Sequence, residues 1–338
     1  SVAARRGCSA GKLESMTQGR LGGEAFCHRR CAAPTAALRM NAPADLTCCT
    51  DWLIVDDGAH LRRGHWRPAA PPRGRVVLLQ GLSEFLEKYT EVAASLAGRG
   101  FEVWSFDWRG QGHSTGSRSP DDPFERHLAD LDAFFAALPR GERPRLLAHS
   151  MGAHLALRYL HRHPHAVQRA LLCAPMIGIH TGRWPQRLAR RLAQVMIRFG
   201  QGRRWLPGRR NYTPLSIPFV INPFTTDRDS YDRLRRRIEA DPDLAFGQVD
   251  WRWLAAAFRS LDRLQGPGVA AAIRTPITLL LAENDRIVDS AAAAAFAGQL
   301  PHAEVVWIAG AEHEVLQEAP AIQAQVWAAI DRALLGPG

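Results

Sequence analysis

Leu146-Leu147-Ala148-His149-Ser150-Met151-Gly152-Ala153-His154 is the stretch that decides how the rest of this chain is read. Its apolar start breaks off at a small residue, passes through His-Ser-Met-Gly, and enters a helical pattern of Leu155, Leu157, Tyr159 and Leu160. This has the form of a nucleophile elbow: a serine on a tight strand-to-helix turn, its Oγ held out of the sheet. Strand and helix backbones nearly touch there, so the positions two before and two after the serine must be small. Ala148 and Gly152 meet that demand, although glycine is the usual residue at the first of them. A serine between a strand and a helix can instead be a plain N-cap. The catalytic reading therefore depends on an acid and a base further along the chain.

Outward from the elbow, apolar runs alternate with helical patterns. On the N-terminal side, Trp52–Val55 and Ala59–Trp66 read as a hairpin turning at Asp57-Gly58. Arg75–Gln80 is a continuous apolar run of the kind buried on both sheet faces, followed by a helix from Glu84 to Ala97. The strand Phe101–Phe106, a Gly-rich loop at 107–114 and a helix from Phe124 to Leu138 lead into the elbow. On its far side, Arg169–Cys173 is another strand. Between Pro175 and Arg274 only helical stretches occur (186–199, 229–240 and 249–264). Strands then resume at 276–282 and 303–308, each followed by a helix, at 290–300 and 319–335. The spacing predicts an α/β fold, a mostly parallel doubly wound sheet with an α-helical insertion. The core spans 46–175 and 273–338, and the insertion 176–272.

Serine is a weak nucleophile until a base takes its proton, and the base needs an orienting carboxylate. On this kind of sheet the partners follow in the order serine, acid, histidine, each in a loop past a strand end. Asp285 lies beyond the strand ending at Ala282, and His313 beyond the strand ending at Ile308, with one βα unit between them. In isolation Asp285 would be a turn or cap residue, and His313 a surface histidine. Together with Ser150 they make a catalytic triad. Asp289, four residues beyond Asp285, reads better as the start of the following helix. The oxyanion calls for two backbone N–H donors. Met151, just after the nucleophile, is one, and Leu82, after the close-approach residue Gly81, is the other.

The runs Gln80-Gly81-Leu82-Ser83-Glu84-Phe85 with Lys88-Tyr89, Asp107–Ser114 and His149-Ser150-Met151-Gly152 carry a more specific signal, together with Asp285–Asp289 and His313–Glu318. Over roughly residues 50–335 the chain resembles the α/β-hydrolase family of monoacylglycerol lipases and bacterial lysophospholipases, the lysophospholipase L2 type above all. The family carries His-Gly where this chain has Gln80-Gly81, and glycine where it has Ala148. The resemblance implies the α/β-hydrolase fold and a helical lid in the insertion. It also implies ester hydrolysis of a lysophospholipid or monoacylglycerol through an acyl-serine, with no organic cofactor and no metal. Two alternatives stay open: a hydrolase of a non-lipid ester or amide, and a non-catalytic protein of this fold that binds lipid or a partner.

The remaining residues narrow the partners. The 338 residues are 46% hydrophobic, enough for a sizeable core, and no apolar run approaches the ~18 residues of a membrane-spanning helix. The net charge of +10 comes mostly from arginine spread along the chain. Without a recognition motif it does not argue for nucleic acid. Arg183, Arg187, Arg190, Arg191, Arg198, Arg203, Arg204, Arg209 and Arg210 lie among Trp184, Phe199, Trp205 and Tyr212. They read as a solvated face, or as a surface for anionic membrane lipid at the headgroup level. Trp251 and Trp253 read as lid packing that can also line an acyl channel. His149, Arg109, Gln111 and His113 read as structural. Cys173 belongs to the core. Cys27-His28-Arg29-Arg30-Cys31 lacks the second ligand pair of a zinc site. Residues 1–45 show no periodicity and no apolar run of secretory type, and read as a disordered extension with Met40 a plausible start. These features fit a cytoplasmic protein, at most peripheral to the inner face of a membrane.

Overall fold

A computed structural model describes residues 46–117, 122–182, 184–206, 217–245 and 249–336. Residues 1–45, and with them the disordered-extension reading, lie outside the described residues. So do Arg183, Arg209, Arg210 and Tyr212 of the arginine group.

The hairpin comes first, as β1 (Leu46–Ile54) and β2 (His60–Pro68). The expected strand began at Trp52, but pairing runs back to Leu46 opposite Pro68, passing Cys48 opposite Trp66, both buried. Polar residues and cysteines hid that half of the strand from a pattern based on aliphatic alternation. The buried Arg62 holds β2 in place: Nη1 and Nη2 each donate to Glu87 at 2.7 Å, and Nε donates to Asp107 Oδ2 at 2.7 Å.

Six more strands follow: β3 (Gly74–Leu79), β4 (Phe101–Phe106), β5 (Arg145–His149), β6 (Ala170–Cys173), β7 (Ile277–Ala282) and β8 (Ala303–Ile308). The sheet order is β1-β2-β4-β3-β5-β6-β7-β8, antiparallel through β1, β2 and β4 and parallel from β4 onward. This is the expected mostly parallel, doubly wound sheet. The order reverses at β3, which lies between β4 and β5, so the loops after β3 and β5 open side by side. Ligand sites in such sheets form at this crevice.

Helices cover both faces. On one face α1 (Thr90–Gly98) and α9 (Pro320–Leu335) pack on Val76, Leu78 and Leu147. On the other, α2 (Pro123–Ala136), α3 (Ser150–Arg162) and α8 (Ser290–Ala297) pack on Val77, Leu79 and Leu146. Between β6 and β7 the described residues contain helices only: α4 (Gln186–Arg198), α5 (Arg228–Ala240), α6 (Trp251–Leu264) and the short α7 (Val269–Ala272). Helix starts follow the aspartates. Asp122, Asp227, Asp250 and Asp289 each accept a hydrogen bond from the backbone N–H three residues on.

A helix also departs from expectation. The helix predicted from Glu84 begins as a 3-10 turn at Leu86–Tyr89, and α1 starts at Thr90. Side chains claim the early amides: Glu84 accepts from Gly81 N–H, and Asp107 Oδ1 accepts from Leu86 N–H at 2.8 Å. Lys88 N–H then bonds to the Phe85 carbonyl at 3.0 Å, closing the tighter turn.

Candidate active site

The strand β5 ends at His149, and α3 begins at Ser150 with no residue between them. Ser150 takes up the whole change of direction at φ 51, a left-handed conformation that costs an L-residue roughly 1–2 kcal/mol. Such strain persists only where the surroundings enforce it. Gly152 shows how they do so: a Cβ there would stand 2.3 Å from the Gln80 carbonyl oxygen and 2.9 Å from that of Leu79. Any side chain at 152 would drive α3 off β3. The small residue required before the serine is the buried Ala148.

Across the strand ends, Ser150 Oγ lies 2.9 Å from His313 Nε2, and His313 Nδ1 lies 2.8 Å from Asp285 Oδ2. Asp285 Oδ1 accepts from the N–H groups of Ile287 and Val288 at 2.8 and 2.9 Å. Burial alone would raise the Asp285 carboxyl. The His313 ring and these two amides outweigh it and hold the group below its usual value, so it stays an anion. Asp289 caps α8 through Ala292 N–H at 2.9 Å and takes no part. The three residues chosen from sequence are thus brought into one hydrogen-bonded line, with Ser150 and His313 both nearly buried. Leu82 and Met151 line the same cavity as Ser150 and His313. Met151 is in the first turn of α3, where N–H groups lack an intrahelical acceptor.

A second set of charges, which the sequence reading missed, lies directly behind the triad. Glu84 is buried, and its carboxylate meets Lys88 Nζ at 2.6 Å, Tyr89 OH at 2.7 Å and His149 Nδ1 at 3.3 Å. Lys88 Nζ also meets Glu314 at 2.6 Å. His149, read from the sequence as structural, lies against the triad histidine. Its Nε2 lies 3.1 Å from the His313 carbonyl oxygen, and its ring centroid 4.9 Å from that of His313. Burial opposes charge on His149, but Glu84 outweighs it and lifts the imidazole to about 9. Burial would likewise raise Glu84, yet Lys88 and His149 hold it well below the usual carboxylate range. Glu84, His149 and Glu314 have the spacing of a cation site. The Lys88 ammonium is already the cation among them. The available signal was the i, i+4 pair Glu84 and Lys88, which is ordinary on any helix surface.

The loops are tied from the helical segment. Gly178 O accepts from Asp289 N–H at 3.1 Å, and His180 N–H donates to Ile287 O at 3.0 Å, beside Asp285. Glu314 N–H donates to Phe224 O at 2.7 Å, beside His313. Gln111 Oε1 accepts from Ser83 N–H at 2.7 Å, Arg109 pairs with Asp130 and Asp57, and His113 meets Asp241 at 2.8 Å. These three loop residues are structural, as expected.

The site opens into a cavity of about 570 Å³. One wall is apolar: Ile179 and residues of α4 and α6 (Ala189, Leu192, Trp251, Trp253, Leu254). Trp251 and Leu254 also pack on Ala189 and Ala193, so α6 serves both the packing of the inserted helices and the lining. The lining from α5 and the segment before it consists of Phe224, Thr225, Ser230, Tyr231, Arg233, Leu234 and Arg237. A nucleophile, an oriented base and an apolar trough suit acyl transfer from a molecule with an aliphatic chain.

Comparison with known proteins agrees with this chemistry. Residues 70–320 match the family described as serine aminopeptidase, S33 (Hydrolase_4). Probable lysophospholipase L2 of Haemophilus influenzae is 29% identical over 275 residues, 79% of this chain and 86% of that one. Lysophospholipase L2 of Escherichia coli is 35% identical over 229 residues, 64% of each chain. The crystal structure of a soluble variant of monoglyceride lipase from Saccharomyces cerevisiae superposes with a TM-score of 0.69 at 20% identity. It covers 85% of this chain and 96% of its own, a likeness of fold.

Proposed function

Because this chain belongs to the serine aminopeptidase S33 family of α/β hydrolases, we propose that it cleaves the carboxylic ester of lysophospholipids or monoacylglycerols through an acyl-enzyme. The observation that carries this reading is the unbroken line from Ser150 Oγ through His313 to Asp285, opening on a cavity with one apolar wall. Ser150 Oγ attacks the ester carbonyl while His313 Nε2 takes its proton. Asp285 stabilises the imidazolium that results, and the Leu82 and Met151 N–H groups receive the oxyanion. Collapse expels the alcohol, protonated by His313. Water then enters and attacks the acyl-serine while His313 takes its proton. His313 returns that proton to Ser150 Oγ as the acyl–Oγ bond breaks and the fatty acid leaves. The aliphatic chain rests against α4 and α6. The roles of these five residues are expected from their placement and are tested by fatty acid release with and without Ser150.

The segment 176–272 serves as the lid of this site, and its outer surface meets anionic lipid. Helix α4 turns Ala189 and Ala193 inward, yet Leu188, Val195 and Ile197 are exposed, as are Trp184, Phe199 and Trp205 around it. Arg187, Arg191, Arg198 and Arg203 are exposed beside them. Cationic and aromatic side chains with exposed aliphatics suit a helix lying at a headgroup boundary. No helix among the described residues is long and apolar enough to cross a membrane.

A further inference from the structure

We propose that Arg233 and Arg237 bind the phosphodiester of a lysophospholipid, so that the cavity selects a phosphodiester-bearing headgroup over a bare glycerol. This inference rests on the ester-hydrolase reading and names the substrate class it prefers. The two residues stand at i, i+4 on α5, on one helix face, and both line the cavity. They share one close carboxylate. Arg237 Nη2 donates to Glu91 Oε1 at 2.5 Å, while Arg233 Nε is 3.9 Å from that same oxygen. The other carboxylate near Arg233 is Asp227, 4.0 Å from Nη2 and engaged in capping α5 through Ser230 N–H at 2.9 Å. Among the described residues, the close contact that Arg233 makes is Nη2 to Ser230 Oγ at 2.6 Å.

The other cations on the cavity wall are matched. Lys88 lies 2.6 Å from both Glu84 and Glu314, and Arg286 lies 3.0 Å from Glu312. Among the described residues that line the cavity, Arg233 is thus a cation with no carboxylate within hydrogen-bond distance. An acyl chain laid against α4 and α6 leaves the α5 lining for its headgroup. A guanidinium presents a fork of donors that fits two phosphate oxygens, and such charge-assisted bonds are about twice as strong as neutral ones. A glycerol alone gives these cations no counter-charge, so the discrimination comes from a charge left unpaired rather than from shape.

Binding of ether analogues, which have no ester to cleave, tests this independently of turnover. An alkyl-glycerophosphocholine and an alkylglycerol are titrated below their aggregation concentrations into wild type, Arg233→Gln, Arg237→Gln and Arg233→Lys. The phosphodiester analogue is expected to bind wild type and to lose roughly ten- to a hundredfold in affinity on either glutamine change. The alkylglycerol should change much less, and Arg233→Lys should recover part of the loss. Glu91→Gln, which removes the shared counter-charge, should tighten the phosphodiester analogue. Equal losses for both ligands, or no loss for either, would overturn the proposal. Displacement of the lipid by millimolar inorganic phosphate, with the same arginine dependence, would make this a free-phosphate site and overturn the lipid assignment. Hydrolysis of a short p-nitrophenyl ester by wild type but not Ser150→Ala, assayed alongside, reports separately on the hydrolase reading.

Discussion

At the ends of β3, β5, β7 and β8 the site is placed by backbone, whereas between β6 and β7 it is placed by side chains on helices. Ser150, Asp285 and His313 occupy positions that the sheet order dictates. Their loops are pinned by buried contacts: Gly152 against the Gln80 carbonyl, and Glu84 against Gly81, Lys88 and His149. In the helical segment, Ala189 and Ala193 of α4 pack on Trp251, Leu254 and Phe258 of α6, while Arg187, Leu188, Arg191 and Arg198 of α4 are exposed. The strand ends can carry strain such as the Ser150 φ because so much surrounds them. On the proposed function, the helical segment governs what enters, through charge and apolar area.

If that contrast is right, substitutions at the strand ends should act through chemistry or stability, and those in the helical segment through binding. Ser150→Ala should have the largest effect, lowering kcat/KM on any cleaved ester by roughly 10⁴- to 10⁶-fold with the denaturation midpoint little moved. Glu84→Gln should cost about 3–5 kcal/mol of stability in a denaturant titration, because it strips a buried lysine and a buried imidazolium of their shared anion. A cost near zero would mean that the network is not closed as described. Gly152→Ala should destabilise by about 3 kcal/mol or more, since the new Cβ meets backbone and has no room to shift. A well-folded Gly152→Ala protein with full activity would break the account of the elbow.

The His149 effect should be smaller and depend on pH. Its value in the folded protein, about 9, stands above the ordinary 6.5. The folded state therefore holds the proton more tightly than the unfolded one. The stabilisation is complete below about pH 6.5 and fades as pH rises through 9, by on the order of 1–3 kcal/mol. Thermal midpoints for wild type should fall across that window, and those for His149→Gln should fall less. The smallest effect per residue belongs to the outer face of α4. Replacing Arg187, Arg191 or Arg198 by glutamine should weaken partition onto anionic vesicles by about 1 kcal/mol each. Hydrolysis of a soluble ester should be little affected. Partition that ignores both salt and these changes would contradict the lipid-facing reading.

What was legible in the sequence follows the same division. The apolar runs of β3, β5, β6 and β7 are buried on both faces and leave a pattern that survives without tertiary knowledge. The elbow leaves small residues at fixed offsets from Ser150. Asp285 and His313 could be found because they follow strands in a fixed order. The start of α1 was misjudged because Glu84 and Asp107 take amides that a helix would otherwise use. The Glu84–Lys88–His149–Glu314 cluster joins two i, i+4 residues to two distant loops, and no spacing rule brings those loops together. Arginine was too common along this chain to mark Arg233 and Arg237, since only the cavity distinguishes them from their neighbours on α5.

The central claim is that Ser150 cleaves lipid monoesters. The most direct test is fatty acid released from lysophosphatidylcholine and from monoacylglycerol by purified wild type and by Ser150→Ala. The account predicts release from at least one of the two by wild type, and none above background by the variant. Equal release by the two proteins would contradict it, as would a wild type that cleaves neither lipid.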